Sequence, residues 1–190
     1  MARSATRSDS ARSPRSGAPR ARRSLILEAA ERLFRHYGVT KTTIGDVARE
    51  SGIGVGSVYL EFTSKDEIVS ELASGRHNRV LGAMKDAATR GAYAERLAAA
   101  LEARITTLFE LQREGAHSCD LVLCASSAVK KAYGRFHAEE LAFVASLLAE
   151  GNRAGELAVA NPTLCAELIQ RAHATFSPPL LFEQSERDAL

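Results

Sequence analysis

From residue 24 onward the apolar positions recur at intervals of three and four, the mark of helices that bury one face. Ser24 stands as an N-cap before Leu25, Ile26, Ala29, Ala30, Leu33, Phe34 and Tyr37, and Gly38 follows where that helix would end. Thr43 caps a second helix of about two turns, Ile44 to Ser51, with Ile44, Val47 and Ala48 on its inner side and Gly52 as its stop. The chain turns through Ile53 and Gly54 into a third short helix, Val55 to Glu61, whose apolar spacing puts Val58 and Phe62 inward. Gly56, Ser57 and Tyr59 are left facing out.

Longer helices follow. Ser64, with Glu67 three residues on, forms a capping box for a helix reaching about Thr89, with Ile68, Leu72, Val80, Met84 and Ala88 along one stripe. Its interior Gly75 and Gly82 each weaken it by about 1 kcal/mol relative to Ala unless close packing or bending uses the missing side chain. The segment Ala92 to Glu114 buries Tyr93, Leu97, Leu101, Ile105 (or Arg104), Leu108 and Leu111 and ends at Gly115. The pattern predicts a helix from Ser118 to Tyr133 that breaks near Gly134, then another from Arg135 to Glu150 closed by Gly151. Asn161-Pro162 opens a last helix carrying Leu164, Cys165, Leu168, Ile169, Ala172 and Phe176, stopped by Ser177-Pro178-Pro179.

Two short helices joined by a glycine turn serve to lay the second in a DNA groove. The outward residues suit a groove. A glycine admits the backbone closely, a serine hydroxyl reaches a phosphate or base edge, and a tyrosine offers a ring with a phenolic donor. Lys65, just past the helix, adds a cation where a flanking phosphate would lie. The ordered series Ile26-Leu27-x-Ala29-Ala30-x-x-Leu33-Phe34-x-x-x-Gly38, Thr42-Thr43-Ile44, Val47-Ala48-x-x-Ser51-Gly52-Ile53 and Gly56-Ser57-Val58-Tyr59-x-x-Phe62-x-x-Lys65-Asp66-Glu67-Ile68 resembles the TetR family of one-component transcriptional regulators over about Arg23 to Leu72. The resemblance implies a repressor that binds a near-palindromic operator as a homodimer and is released by a small-molecule effector. The DNA contacts expected on this basis are Thr43, Gly45, Val55, Gly56, Ser57, Tyr59 and Lys65. Two adjacent positions depart from the family pattern: Leu60 and Glu61 stand where aromatic, His or basic residues are common, and Glu61 is expected to point to solvent.

Charge is distributed unevenly. The 190 residues carry a net +2, yet residues 1–23 hold seven Arg against Asp9 alone, a balance of +6 that leaves −4 for the remainder. Between residues 24 and 65 five acids face five bases, so the reading head is near neutral and much of the nonspecific affinity for DNA is expected from the tail. Residues 1–22, rich in Ser, Arg, Ala and Pro, bury too little to offset ordering and are expected to be a disordered arm. It is read either as a basic extension that contacts phosphates or the minor groove, or as a passive solvated tail.

Catalytic chemistry is not expected: there is no Gly-x-Ser-x-Gly elbow, phosphate loop or HExxH, and no cofactor and no metal are assigned. No apolar run reaches the roughly 18 residues needed to span a bilayer, and no secretory signal is evident, so the expected location is the cytoplasm. Three cysteines, an odd number, argue against a disulfide framework. His117, Cys119 and Cys124 form the one cluster with ligand chemistry and carry the alternative of a metal- or redox-responsive regulator. Against it, Cys119 and Cys124 are five apart, about 140° on an ideal helix, and turn to different faces. The main expectation is an apolar effector pocket including Leu108, Phe109, Leu123, Phe136 and Phe143.

The reading is therefore an all-α protein in three parts: the arm 1–22, a three-helix helix-turn-helix DNA-binding domain 23–65, and a helical effector-binding and dimerisation domain 66–190. The resemblance implies two C-terminal helices per subunit packing into a four-helix bundle. Here the second would run only from about Phe182 to Leu190, so either the chain is truncated or the interface is built differently.

Overall fold

The apolar stripes become eight α-helices among the described residues: α1 (Gly17–Tyr37), α2 (Ile44–Ser51), α3 (Val55–Glu61), α4 (Lys65–Ala87), α5 (Tyr93–Arg113), α6 (Asp120–Leu123), α7 (Ser127–Arg153) and α8 (Pro162–Ala172), with a 3-10 turn at His173–Phe176. The computed structural model describes residues 17–117, 120–123 and 126–176. Caps set the boundaries of α2, α4 and α8: the Thr43, Ser64 and Asn161 side chains accept from the amides of Asp46, Glu67 and Leu164. Among the described residues there is no strand, and no helix is long and apolar enough to cross a membrane.

Two boundaries differ from expectation. The first helix begins at Gly17 rather than after Ser24, so the expected end of the arm at residue 22 falls inside α1. Ser24 donates to Glu28 at 2.8 Å and does not act as a cap. Tertiary contacts hold this extension: Arg22 pairs with Glu61 at 3.3 Å, and Arg23 pairs with Glu67 and Glu71 while its guanidinium lies 3.9 Å from the Phe62 ring centroid. The second difference is α7, one continuous helix of 27 residues where two were expected. Gly134 does not break it, because Val129 and Ala132 on one side and Phe136 and Val144 on the other are anchored in packed cores. Such burial outweighs a propensity cost of about 1 kcal/mol. Gly151 does not end it either. The stop is Gly155, whose φ of 74° is the left-handed conformation that glycine accepts freely. Ahead of α7, the expected helical residues from Ser118 are described only as the single turn α6.

Two cores organise the molecule. In the first, Ile26, Ala29, Ala30 and Phe34 of α1 meet Val47 and Ala48 of α2, Val58 of α3, Phe62, and Ile68, Val69 and Ala73 of α4. In the second, Val80, Leu81 and Met84 of α4 meet Ala100, Leu108 and Leu111 of α5, Phe136, Val144, Leu147 and Leu148 of α7, and Ala166 of α8. Helix α4 packs on both α5 and α7, and it joins the two cores through buried Arg76 and His77. Arg76 reaches Glu31 of α1 at 3.1 Å and Glu114, just after α5, at 3.4 Å.

Within the second core Arg104 and Glu140 are both buried and paired. Arg104 also donates to the Phe176 carbonyl at 3.1 Å, and Gln170 donates to Glu140 at 3.3 Å and to the His137 carbonyl at 2.9 Å. These bonds tie α5, α7, α8 and the final turn together. The apolar position expected at Ile105 or Arg104 is thus taken by the guanidinium, and Ile105 is half-buried.

The glycines supply a test. A Cβ at Gly151 would lie 2.5 Å from Leu157 Cδ1 and 2.9 Å from Tyr93 Cβ, whereas one at Gly75 or Gly134 would meet nothing within 4 Å. Gly151→Ala is expected to lower stability by about 1–3 kcal/mol through overpacking. Gly134→Ala and Gly75→Ala are expected to raise it by up to about 1 kcal/mol. Urea unfolding of the three variants reads both signs.

A second test concerns His77. Burial, with the charge of Arg135 adding to it, brings the imidazole down from 6.5 to about 4. The unfolded chain takes up a proton near 6.5 and the folded chain does not until about 4. Stability is therefore complete above 6.5 and falls as pH drops from 6.5 towards 4. The His77→Phe variant is expected to lose this part of the slope in melts recorded across that interval.

Candidate nucleic-acid interface

The reading unit is built from three local devices. Thr43 and Asp46 close a reciprocal capping box at the start of α2, with Thr43 N–H donating to Asp46 at 3.0 Å and Asp46 N–H to the Thr43 hydroxyl at 3.2 Å. These bonds from Thr43, with Arg49 nearby, hold the Asp46 carboxyl below the usual carboxylate range. Gly52, at φ 68°, ends the helix by turning its N–H onto the Ala48 and Arg49 carbonyls, and Ile53 N–H follows onto Ala48 at 3.0 Å. Val58 then locks α3 into the first core and is fully buried, which fixes the rotation of the helix about its axis.

That rotation presents one face outward. Val55, Gly56, Tyr59 and Leu60 are exposed, Tyr59 by 52% and Leu60 by 80%, and Ser57 is half-buried beside them. Added bulk at Gly54 or Gly56 would meet nothing within 4 Å, so the backbone itself forms part of the surface. The face carries no charge in the first or last turn other than Glu61. It therefore offers a groove hydrogen bonds and methyl-sized apolar contacts, of the kind that a thymine methyl accepts, with little of its own phosphate attraction.

Glu61 does not point to solvent as expected. Its side chain is only 14% exposed and pairs with Arg22, and its carbonyl accepts from Arg23. The acid that would repel phosphate at the end of α3 is thereby neutralised by the first turns of α1. Lys65 also differs from a free surface cation: its ammonium donates to the Val39 carbonyl at 3.0 Å and the Thr42 carbonyl at 3.1 Å, which leaves one N–H for a phosphate. Thr43 and Gly45 are both exposed at the start of α2, whose first amides have no intrahelical acceptor. Sequence reasoning passed over Lys41 and Arg49, exposed cations that line a cleft of about 380 Å³ with Tyr37, Asp46 and Glu50 beside α2. Helical spacing alone gave no sign of them, because they lie off the stripe that α2 buries.

Of the expected effector residues, Leu108 and Phe136 are buried in the second core and Phe109 and Phe143 pack against it. The Leu123 side chain, Cys119 and Cys124 lie outside the described residues. His117 sits in the head contact, its N–H donating to the Arg35 carbonyl at 3.0 Å and its ring 3.8 Å from Asp120. Cys165 is a free, half-buried thiol on α8.

A three-helix head with an exposed, core-locked third helix, carried on a helical domain through one long helix, is a helix-turn-helix architecture. Residues 26–72 match the family model described as bacterial regulatory proteins, tetR family. Over this region the chain is similar to the TetR family. It is 35% identical to the transcriptional repressor KstR2 of Rhodococcus jostii over 89 residues, 47% of this chain and 42% of that protein. It is 42% identical to the transcriptional regulator TtgR of Pseudomonas putida over 55 residues, 29% of this chain and 26% of that protein. These matches span less than half the length of the curated relatives. In overall fold the chain is similar to a TetR/AcrR-family regulator of Thermobifida fusca, at TM-score 0.64, 25% identity, and 82% and 84% of the two chains. The FadR of Bacillus subtilis, solved with stearoyl-CoA, shares the fold at TM-score 0.63 and 18% identity, over 85% of this chain and 88% of that one.

The geometry gives Tyr59 and Lys65 different roles. Tyr59→Ala is expected to weaken operator binding roughly tenfold, the worth of about 1.4 kcal/mol of contact, with no change in melting temperature. Lys65→Ala is expected to lower both, because two carbonyls lose their donor. Mobility shifts and thermal melts of the same preparations check this, and a Tyr59→Ala protein with full affinity would overturn the docking face.

Proposed function

We propose that this chain is a ligand-responsive transcriptional repressor. It works in the cytoplasm as a homodimer on a near-palindromic operator and is released by a small, largely apolar effector. The observation that carries this reading is the exposed α3 face held rigidly by the first core and joined to the second core by α4. Thr43, Gly45, Val55, Gly56, Ser57, Tyr59 and Lys65 meet the DNA, two α3 helices entering major grooves about 34 Å apart. Residues 1–22 supply phosphate contacts, residues 23–65 read the site, and residues 66–190 sense and dimerise.

Dimerisation is supported by α8, which buries Ala166 and leaves Leu164 and Leu168 exposed on one face, with Phe176 exposed beyond it. The effector site is placed at the second core, where Leu108, Phe109, Phe136 and Phe143, joined in this reading by Leu123, give a largely apolar environment. Coupling to DNA runs through polar contacts between the domains. Arg76 bridges Glu31 and Glu114, Arg35 donates to the Glu114 carbonyl, and Val39 N–H donates to Asp120 at 3.3 Å. An effector that favours a different setting of α4 and α5 then changes the spacing of the two heads.

The experiment is a mobility shift on the DNA upstream of the gene with full-length protein and a variant lacking residues 1–16, which leaves α1 and the Arg22–Glu61 pair in place. The full-length protein is expected to shift a palindromic fragment. The truncated one is expected to bind more weakly with a shallower dependence on salt, because each lost phosphate contact releases nearly one counterion fewer. Failure of the full-length protein to shift any upstream fragment overturns the reading, and equal salt slopes make the arm passive.

A further inference from the structure

A base pair in the major groove is told apart by what a side chain can pair with: guanine by Arg or Lys, adenine by Asn or Gln, cytosine by an acid, and thymine by apolar contact with its methyl. Helix α3, with the sequence Val-Gly-Ser-Val-Tyr-Leu-Glu, holds no Arg, Lys, Asn or Gln. Its one acid, Glu61, is 14% exposed and paired with Arg22 at 3.3 Å, so it is not offered to cytosine. Lys65, just beyond, donates to the Val39 and Thr42 carbonyls. We infer that α3 reads thymine C5-methyl groups, with Leu60 as the side chain that makes the discriminating contact, and that the half-site beneath it is thymine-rich. This rests on the repressor reading above and names the kind of DNA that the repressor selects.

An exposed leucine by itself is ordinary. Here the whole outward face is of one kind. At about 100° per residue, Val55, Tyr59, Gly56 and Leu60 fall within an arc of about 140°. Val55 is 46% exposed, Tyr59 52% and Leu60 80%, and all three stand where polar base readers would be placed. Gly56 lies one turn before Leu60 on the same stripe, and with no side chain there the groove can approach until Leu60 touches a base edge. The hydroxyls of Ser57 and Tyr59 supply one bond each, which separates base pairs less sharply than a bidentate contact. Discrimination is therefore left to the methyl.

The surroundings choose a nucleic acid over an apolar protein face as the occupant. Lys41 is exposed ahead of α2, and Arg49 is exposed although paired with Asp46, so cations border the strip on the α2 side. Their sign complements phosphate. Glu61, the acid nearest the strip, is covered by its pair with Arg22.

The test begins with full-length protein selecting from random duplex DNA. Mobility shifts follow on the selected fragment with each thymine replaced in turn by uracil, which removes only the methyl. At one or more positions of each half-site, uracil is expected to lower affinity roughly fourfold, the equivalent of about 0.8 kcal/mol for one buried methyl. Cytosine at that position is expected to bind more weakly than thymine, and 5-methylcytosine to recover part of the loss. Leu60→Ala, a change at an exposed side chain, is expected to keep the melting temperature and to bind the thymine and uracil fragments alike. Uracil without effect in the native protein, 5-methylcytosine no better than cytosine, or a full uracil penalty in Leu60→Ala overturns the inference. A native protein that selects DNA but tolerates uracil removes only the thymine reading, whereas one that selects no DNA removes the repressor reading with it.

Discussion

One helix serves two cores, and the rest of the molecule is arranged around that constraint. Ile68, Val69 and Ala73 of α4 are buried with the reading head, and Val80, Leu81 and Met84 are buried with the helical domain. At 23 residues α4 is about 35 Å long, and neither interior glycine breaks it. Any shift that the second core imposes on α4 is therefore delivered to the first. The join between the cores is polar: Arg76 is held from both sides by Glu31 and Glu114, and His77 sits next to it without a hydrogen-bond partner among the described residues. A fully apolar join would weld the halves together, whereas ion pairs at an interface can be exchanged when the interface repacks.

Electrostatics divides labour within the head. The exposed face of α3 is almost uncharged, and the charges nearest to it are engaged inside the protein: Glu61 with Arg22, and Lys65 with two backbone carbonyls. Arg23 lies over Phe62 and pairs with Glu67 and Glu71, so the first turns of α1 are fastened to the end of α3 and the start of α4. Those ties bring Arg22 and Arg23 to the edge of the reading helix. The α3 face presents shape and hydrogen-bonding groups, and the exposed cations Lys41 and Arg49 lie on the neighbouring α2 side.

The second core holds a buried polar network. Arg104, Glu140, Gln170 and the Phe176 carbonyl satisfy one another across three helices and the last turn. Removing either charge would strand the other in an apolar interior, at a cost of about 3–5 kcal/mol. The network also fixes α8 against α7, which sets the direction in which Leu164 and Leu168 are displayed.

Local chemistry in the sequence determined much of this. Caps at Thr43, Ser64 and Asn161, the glycine stop at Gly52 and the inward Val47, Ala48, Val58 and Phe62 depend on neighbours within a few residues, so the reading head was legible from order alone. Where the balance lay with distant partners, the same signals misled. Gly134 and Gly151 read as helix ends, but packing on both flanks carries α7 through them; Ser24 read as a cap, but Glu61, Glu67 and Glu71 extend α1 past it. The pairing of Arg104 with Glu140, the internal bonds of Lys65 and the isolation of His77 were decided by tertiary structure alone. Each depends on which helix lies opposite, and a one-dimensional periodicity records which side of a helix is buried but not what it is buried against.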